Sequence, residues 1–127
     1  MRVYIVDASA FLAIVLNEFG AEIAVARIMR ATMSAVNASE ALMRGAETGA
    51  PLELMRELLV TQQVQIVPFD DRLAVEAALL RPATKHLGLS FADRACIATA
   101  IKLSATIVTA DRAWSHLDLP CPIELIR

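Results

Sequence analysis

A chain of 127 residues is long enough for one domain with a buried core and too short for two independent domains. Apolar residues make up 57% of it, above the ~45–50% of most soluble domains, yet it has no run of about 18 nearly uninterrupted apolar residues, which excludes a membrane-spanning helix. The formal net charge of −2 argues against nucleic-acid binding through a simple basic surface.

The first predicted elements are a strand, a tight turn and a helix. Residues 3–6 form a short β-prone run, Asp7 follows directly, and an apolar helical stretch continues to residue 16. Gly20 opens a second helix over residues 21–31, where apolar and polar positions alternate at helical spacing. Residues 32–36 are compatible with a short strand.

The middle of the chain is predicted to be mostly helical. Asn37 is a plausible N-cap for a helix that continues to about residue 48. The sequence Gly49-Ala50-Pro51 breaks this helix before another over residues 52–62. Residues 64–67 are the next predicted strand.

In the last third of the chain, Asp70 begins a helix that continues to residue 80 and that Arg81-Pro82 end. The following helix covers residues 90–103. Two further strands are predicted over residues 105–108 and 123–126, the second after two prolines.

Short β-rich runs that alternate with helical patterns predict an α/β fold, with a parallel sheet covered by helices on both faces. One domain, residues 1–127, contains all of these elements. Ligands of such folds bind outside the carboxyl ends of the strands. Because Asp7 and Asp111 each follow a predicted strand, we expect them to share one rim of the sheet.

Four acidic residues at strand ends or helix starts are the candidate functional residues. They are Asp7, Glu40, Asp93 and Asp111. Each also has a purely structural interpretation. Asp7 and Asp111 are good helix caps or turn residues, Asp93 stands three residues after Ser90 as in a capping box, and Glu40 suits the first turn of its helix. Only their convergence in one cleft would make them a site.

A cluster of carboxylates has a specific chemistry. Oxygen ligands suit hard cations such as Mg²⁺ or Mn²⁺, and a bound cation activates water and stabilises charge on a phosphate. It also offsets the acidity of the chain near a phosphate backbone. The histidines, His86 and His116, have no paired nucleophile or ligand pattern, and Cys96 and Cys121 lack metal-binding spacing, so all four are expected to be structural or surface residues.

Four segments carry a resemblance to a known family. VYIVDASA, SAVNASEAL, LSFADRACIATA and IVTADRAW resemble, in this order, the signature blocks of the PIN-domain ribonucleases, especially the VapC toxins of toxin–antitoxin pairs. The resemblance spans residues 3–114. It implies that four acids take metal-site positions, with two polar residues beside them: Asp7, Glu40, Asp93 and Asp111, with Ser9 and Thr109.

The same resemblance implies a three-layer α/β/α domain with a central parallel sheet and a Mg²⁺ or Mn²⁺ site. It implies endonucleolytic cleavage of RNA, often tRNA or rRNA, by a homodimer that a VapB-like antitoxin neutralises. A carboxylate before the first apolar segment argues against a signal peptide, so a cytoplasmic protein is expected.

Two alternatives remain open from the sequence. The first is another acid-pocket enzyme, such as a small-molecule phosphohydrolase or a DNA nuclease, although a phosphatase with an Asp nucleophile often needs a second acid two residues on, where this chain has Ser9. The second is a non-catalytic α/β binding module whose four acids are helix caps. Specific binding of Mg²⁺ or Mn²⁺ would separate the second alternative from an enzyme.

Overall fold

The computed structural model describes residues 2–127, which contain one five-stranded sheet with all strands parallel, in the order β3-β2-β1-β4-β5. The strands are β1 (Tyr4–Val6), β2 (Thr32–Ser34), β3 (Gln65–Val67), β4 (Thr106–Thr109) and β5 (Ile123–Leu125). The register pairs Ile5 with Thr32 on one side and with Ile107 on the other. The first strand, β1, is therefore the central strand of the sheet.

Seven α-helices connect the strands within these residues. They are α1 (Ala8–Val15), α2 (Ala21–Ile28), α3 (Ala35–Glu47), α4 (Leu52–Thr61), α5 (Asp71–Leu79), α6 (Arg81–Thr84) and α7 (Phe91–Leu103). Short 3₁₀ helices cover Lys85–Leu87 and Arg112–His116. The longest α-helices, α3 and α7, have 13 residues each, and within residues 2–127 none could span a bilayer.

The two faces of the sheet bury separate apolar clusters. Successive residues of a strand point to opposite faces, so Val6 packs with Phe11 and Met33 on the side of α1 to α4, whereas Ile5 packs with Ile97 and Trp114 on the other side. All six side chains are at most 1% exposed. The predicted α/β fold with helices on both faces is confirmed as a three-layer α/β/α arrangement.

One local prediction was wrong. Asn37 does not cap α3. The cap is Ser34, whose Oγ accepts a hydrogen bond from Val36 N at 3.2 Å, so the helix starts three residues earlier than the Asn37 pattern suggested. The helix that Asp70 begins ends before Arg81-Pro82, as predicted, with Leu80 as its C-cap. A separate short helix, α6, then starts at Arg81, and Pro82 lies in its first turn, where its missing N–H costs no intrahelical bond.

Gly20 is required for the turn into α2. Its φ of 94° lies in the left-handed region, which side-chain-bearing residues rarely adopt. A Cβ at this position would also run into the carbonyl group of Ile126. The glycine therefore lets α2 pack close to the chain that follows β5.

Candidate active site

The sheet order places two chain segments with polar side chains side by side. β1 and β4 are neighbouring parallel strands, so their carboxyl ends meet at the same edge of the sheet. Asp7 directly follows β1, and Thr109 is the last residue of β4. Asp7 and the segment that carries Asp111 therefore lie at the same rim of the sheet, as predicted.

Asp7 is buried, with 4% of its surface exposed, and is held by three neighbours. Its Oδ1 accepts hydrogen bonds from Ala10 N at 2.9 Å and from Ser9 Oγ at 2.7 Å, and its Oδ2 accepts one from Thr109 Oγ1 at 2.6 Å. The bond from Ala10 N makes Asp7 the N-cap of α1. The cap interpretation is therefore correct, but it accounts for only one of the three bonds.

The protonation of Asp7 is unusual for an aspartate. The pKa of Asp7 is raised from 3.8 to about 6. Burial is the main cause and the charge of Asp93 adds a smaller increase, whereas the hydrogen bonds from Thr109, Ala10 and Ser9 oppose the shift. A buried carboxyl group with a perturbed pKa is a feature of functional sites.

Glu40 lies on α3 and is half-buried. Because α3 starts at Ala35, Glu40 stands in the second turn rather than in the first, so the helix-start interpretation of this residue was wrong. Partial burial raises the pKa of Glu40, the positive charge of Arg44 lowers it, and the charge of Asp93 raises it.

Asp93 and Asp111 both stabilise helix starts, Asp93 as the N3 residue of a capping box and Asp111 as an N-cap, and both line the cleft. Asp93 Oδ2 accepts a hydrogen bond from Ser90 N at 2.9 Å and Ser90 Oγ accepts one from Asp93 N, which completes the predicted capping box of α7. Asp111 Oδ1 accepts a hydrogen bond from Ala113 N at 3.0 Å and starts the 3₁₀ helix Arg112–His116. Each acid has one further carboxylate oxygen for another partner.

The four acids line one cleft of about 310 Å³, together with Ser9, Ser90, Asn37, Arg44 and Ala8. They come from the end of β1, from α3, from the first turn of α7 and from the segment after β4. Four acids that are up to 104 residues apart in sequence therefore meet at the carboxyl edge of the sheet. A wider groove of about 580 Å³ between α3, α4 and β3 is mainly apolar and lies away from these acids.

The acids are not preassembled as a metal site. Among residues 2–127, no group of three or more His, Cys, Asp or Glu side chains is already placed to hold a metal ion. The donors nevertheless fit a hard cation, because they are carboxylate oxygens only. The charge of Asp93 also raises the pKa of both Asp7 and Glu40, and a cation between these groups would remove that repulsion.

Two further residues line the cleft. The sequence did not identify Asn37 as one of them, and it indicated only that Arg44 is close in sequence to the acids. Asn37, Glu40 and Arg44 are three and four residues apart, and such spacing puts side chains on one face of a helix. That spacing was the available signal. The other residues considered behave as expected: His86 and His116 are exposed, and Cys96 and Cys121 are buried.

The comparison with family models decides the family. The model of the PIN domain matches residues 4–119. The chain belongs to the PIN domain family. PIN domains are nucleases that generally use divalent metal ions. The resemblance of the four sequence segments to PIN-domain blocks is thereby confirmed.

Solved structures support the same fold. A toxin–antitoxin complex from Klebsiella pneumoniae matches with a TM-score of 0.77 and 17% identity, covering 98% of each chain. DNA-bound VapBC from Salmonella typhimurium matches with a TM-score of 0.73 and 18% identity over 100% of each chain. VapBC-5 from Mycobacterium tuberculosis has a TM-score of 0.61 and 22% identity over 100% of this chain and 99% of that chain. A comparison with curated proteins found no significant match.

Proposed function

We propose that this PIN domain is a divalent-cation-dependent endoribonuclease and the toxin of a toxin–antitoxin pair. The observation that carries the proposal is the convergence of Asp7, Glu40, Asp93 and Asp111 on one cleft at the carboxyl edge of the sheet. In a family of nucleases, a cleft of this composition is the natural place for phosphodiester hydrolysis. The cation is Mg²⁺ or Mn²⁺, held by these four carboxylates.

When bound, the cation supplies the activation of water and the stabilisation of negative charge on the phosphate. The protein holds the carboxylates that bind the cation in fixed orientations. Ser9 and Thr109 hold Asp7 in one orientation through bonds to different oxygens, and the capping box holds Asp93. Arg44 brings a positive charge to the cleft, where it suits the phosphate of the substrate.

RNA is the proposed substrate because the four sequence segments resemble those of PIN-domain ribonucleases. The chemistry of the cleft alone also suits DNA, and several structural neighbours are complexes with DNA, such as FitAB bound to a DNA fragment and VapBC2 from Rickettsia felis bound to a fragment from the VapBC promoter. A test of the proposal must therefore offer both nucleic acids to the protein.

A protein partner is part of the proposal. The neighbouring structures include toxin–antitoxin complexes, and this chain covers nearly the whole length of the matched chains. Several large apolar side chains are also exposed, among them Leu54, Val60 and Leu79 at 61%, 75% and 70%. We propose that a VapB-like antitoxin and a second copy of the chain cover such side chains.

The experiment that tests the function is incubation of the purified protein with total cellular RNA and, separately, with single-stranded and duplex DNA. Each reaction is run with Mg²⁺, with Mn²⁺ and with excess chelator, and new RNA ends are mapped by sequencing. The proposal expects discrete new ends in tRNA or rRNA only when a divalent cation is present. Undiminished cleavage in chelator, or cleavage of DNA but not RNA, would contradict it.

A further inference from the structure

We infer that Asn37 is a positioning residue of the acid cleft, which ties the two acid-bearing helices together and offers its carbonyl oxygen to the hydrated cation. This inference rests on the function proposed above. It concerns a residue that is neither acidic nor at a strand end.

Asn37 stands on the cleft side of α3. It is the third residue of this helix, is 1% exposed and lines the same cleft as Asp7, Glu40 and Asp93. Glu40 follows it by three residues, which places both side chains on one helix face. The amide of Asn37 is therefore a neighbour of the acids and not a residue of the distant apolar core.

The amide nitrogen of Asn37 makes a long-range bond. Nδ2 donates a hydrogen bond of 2.8 Å to the carbonyl oxygen of Ala92, 55 residues away. Ala92 is the second residue of α7 and directly precedes Asp93. The bond thus joins the start of the helix that carries Glu40 to the turn that carries Asp93, and it helps to fix the separation of these carboxylates.

In the described part of the chain, the amide oxygen of Asn37, unlike its amide nitrogen, is unpaired. Among residues 2–127, buried Oδ1 of Asn37 has no hydrogen-bond partner. Most buried polar atoms in proteins are paired, and a buried unpaired carbonyl oxygen destabilises the fold. The bond from Nδ2 to Ala92 O accounts for only one half of the amide, so the unpaired oxygen points to a partner that is present when the protein works. Neutral carbonyl oxygens and water are common neighbours of hard cations, which suits this partner.

Three variants separate the two roles of the amide. Asn37→Leu removes both the Nδ2 donor and the Oδ1 acceptor, whereas Asn37→Asp keeps an oxygen acceptor and loses the Nδ2 donor. Thr99→Val is the matched control, because Thr99 is a fully buried residue of α7 whose Oγ1 donates to Ala95 O at 2.8 Å and which lies outside the residues that line the cleft.

The readout is the dissociation constant for Mn²⁺, measured by isothermal titration calorimetry on the protein without RNA, with melting temperatures recorded in parallel. We expect Asn37→Leu to weaken Mn²⁺ binding by about tenfold or more, the usual effect of removing a supporting residue of a metal site. Asn37→Asp should bind Mn²⁺ with an affinity close to or above that of the native protein. Thr99→Val should lose thermal stability and keep native affinity.

Native Mn²⁺ affinity in Asn37→Leu would overturn the inference and leave the proposed nuclease intact. An equal loss of affinity in both Asn37 variants would overturn the role of Oδ1 toward the cation and leave only the bond to Ala92. A native protein that binds no Mn²⁺ would instead overturn the cation-dependent function itself, and the inference with it. A second measurement needs no variant: on addition of Mg²⁺, the side-chain amide resonances of Asn37 should shift in a ¹⁵N spectrum, while those of exposed Gln63 stay in place. Unshifted Asn37 amide resonances at saturating Mg²⁺ would also overturn the inference.

Discussion

Thr109 Oγ1 donates a 2.6 Å hydrogen bond to Oδ2 of Asp7, across 102 residues of sequence. The same Oγ1 accepts a hydrogen bond from Asp111 N at 3.1 Å. One hydroxyl group at the end of β4 thus connects the buried acid after β1 to the segment that carries the exposed acid Asp111. The orientation of Asp7 is therefore part of the fold, and its titration is linked to the stability of the fold.

The first prediction is that the stability of the metal-free protein falls as pH rises from about 4 to about 6. The pKa of Asp7 is raised to about 6 in the folded protein, against an ordinary value of 3.8. Between these values the folded state holds a proton that the unfolded chain has released, so stability is fully present below the lower pKa and is lost as pH rises through the upper one. The loss is roughly 3 kcal/mol at about 1.4 kcal/mol per pKa unit.

Urea denaturation in chelator across this pH range measures the effect, and Asp7→Asn is the control because its amide does not titrate. The quantity to compare is the difference in unfolding free energy between the native protein and Asp7→Asn at each pH. Carboxyl groups far from Asp7 titrate alike in both proteins, so their contributions cancel in this difference. A difference that stays constant with pH would show that Asp7 titrates normally.

The second prediction concerns the hydroxyl group of Thr109. The hydrogen bond from Thr109 favours the ionised form of Asp7, so Thr109→Val should raise the pKa of Asp7 further. If Asp7 must ionise to bind Mn²⁺, the pH midpoint of Mn²⁺ binding should move upward by roughly one unit, the equivalent of about 1.4 kcal/mol for one charge-assisted bond. Thr109→Ser keeps the hydroxyl group and should restore the native midpoint. Equal pH midpoints of Mn²⁺ binding in all three proteins would show that ionisation of Asp7 is not required for the cation to bind.

The third prediction concerns repulsion within the cleft. The charge of Asp93 raises the pKa of both Asp7 and Glu40, so Asp93→Asn should melt later than the native protein in chelator. Asparagine keeps an oxygen that can accept the bond from Ser90 N, which preserves the capping box in part. Mn²⁺ should stabilise the native protein by roughly 1.4 kcal/mol at ten times its dissociation constant, and the variant should lose most of this gain.

Asp70→Asn is the matched control for a cap outside the cleft. Asp70 caps α5 by accepting a hydrogen bond from Leu73 N at 2.9 Å. This variant should respond to Mn²⁺ as the native protein does. If Asp93→Asn melts earlier in chelator and is stabilised by Mn²⁺ as strongly as the native protein, Asp93 only completes the capping box of α7 and is no part of a cation site.

The fourth prediction is self-association. Exposed apolar side chains lie on α4 and α5, including Val60 at 75% and Leu79 at 70%. We expect light scattering to give the mass of a dimer over a wide concentration range, and Val60→Lys or Leu79→Lys to shift the protein toward the monomer, because a lysine in an apolar interface is costly to bury. A protein that is monomeric at every concentration tested would refute the homodimer.

The sequence was sufficient for the framework of the site because local patterns determine it. The β-prone runs before Asp7 and before Asp111 are short, and each is followed at once by polar residues. In a parallel sheet the carboxyl ends of such strands meet, so the juxtaposition of these segments follows from topology. The capping box of Ser90 and Asp93 was also readable, because it depends on residues three apart.

The sequence was not sufficient where two local interpretations were equally good. Ser34 and Asn37 are both good N-cap residues, and the choice depends on where β2 ends and on the carbonyl oxygen of Ala92, which is distant in sequence. Likewise, Pro82 suits the end of one helix as well as the start of the next. The role of Asn37 required the packing of α3 against α7.

A direct test of the proposed active site is the single-turnover rate of cleavage of a mapped RNA site, in Mn²⁺, by the native protein and four variants. The variants are Asp7→Asn, Asp93→Asn, Glu40→Gln and, as a control outside the cleft, Asp118→Asn at an exposed acid. We expect each cleft variant to lose at least about a hundredfold in rate while keeping a native circular dichroism spectrum, and Asp118→Asn to cleave at the native rate. Native rates for Asp7→Asn and Asp93→Asn would contradict the proposed function, since the cleft would then have no part in the reaction.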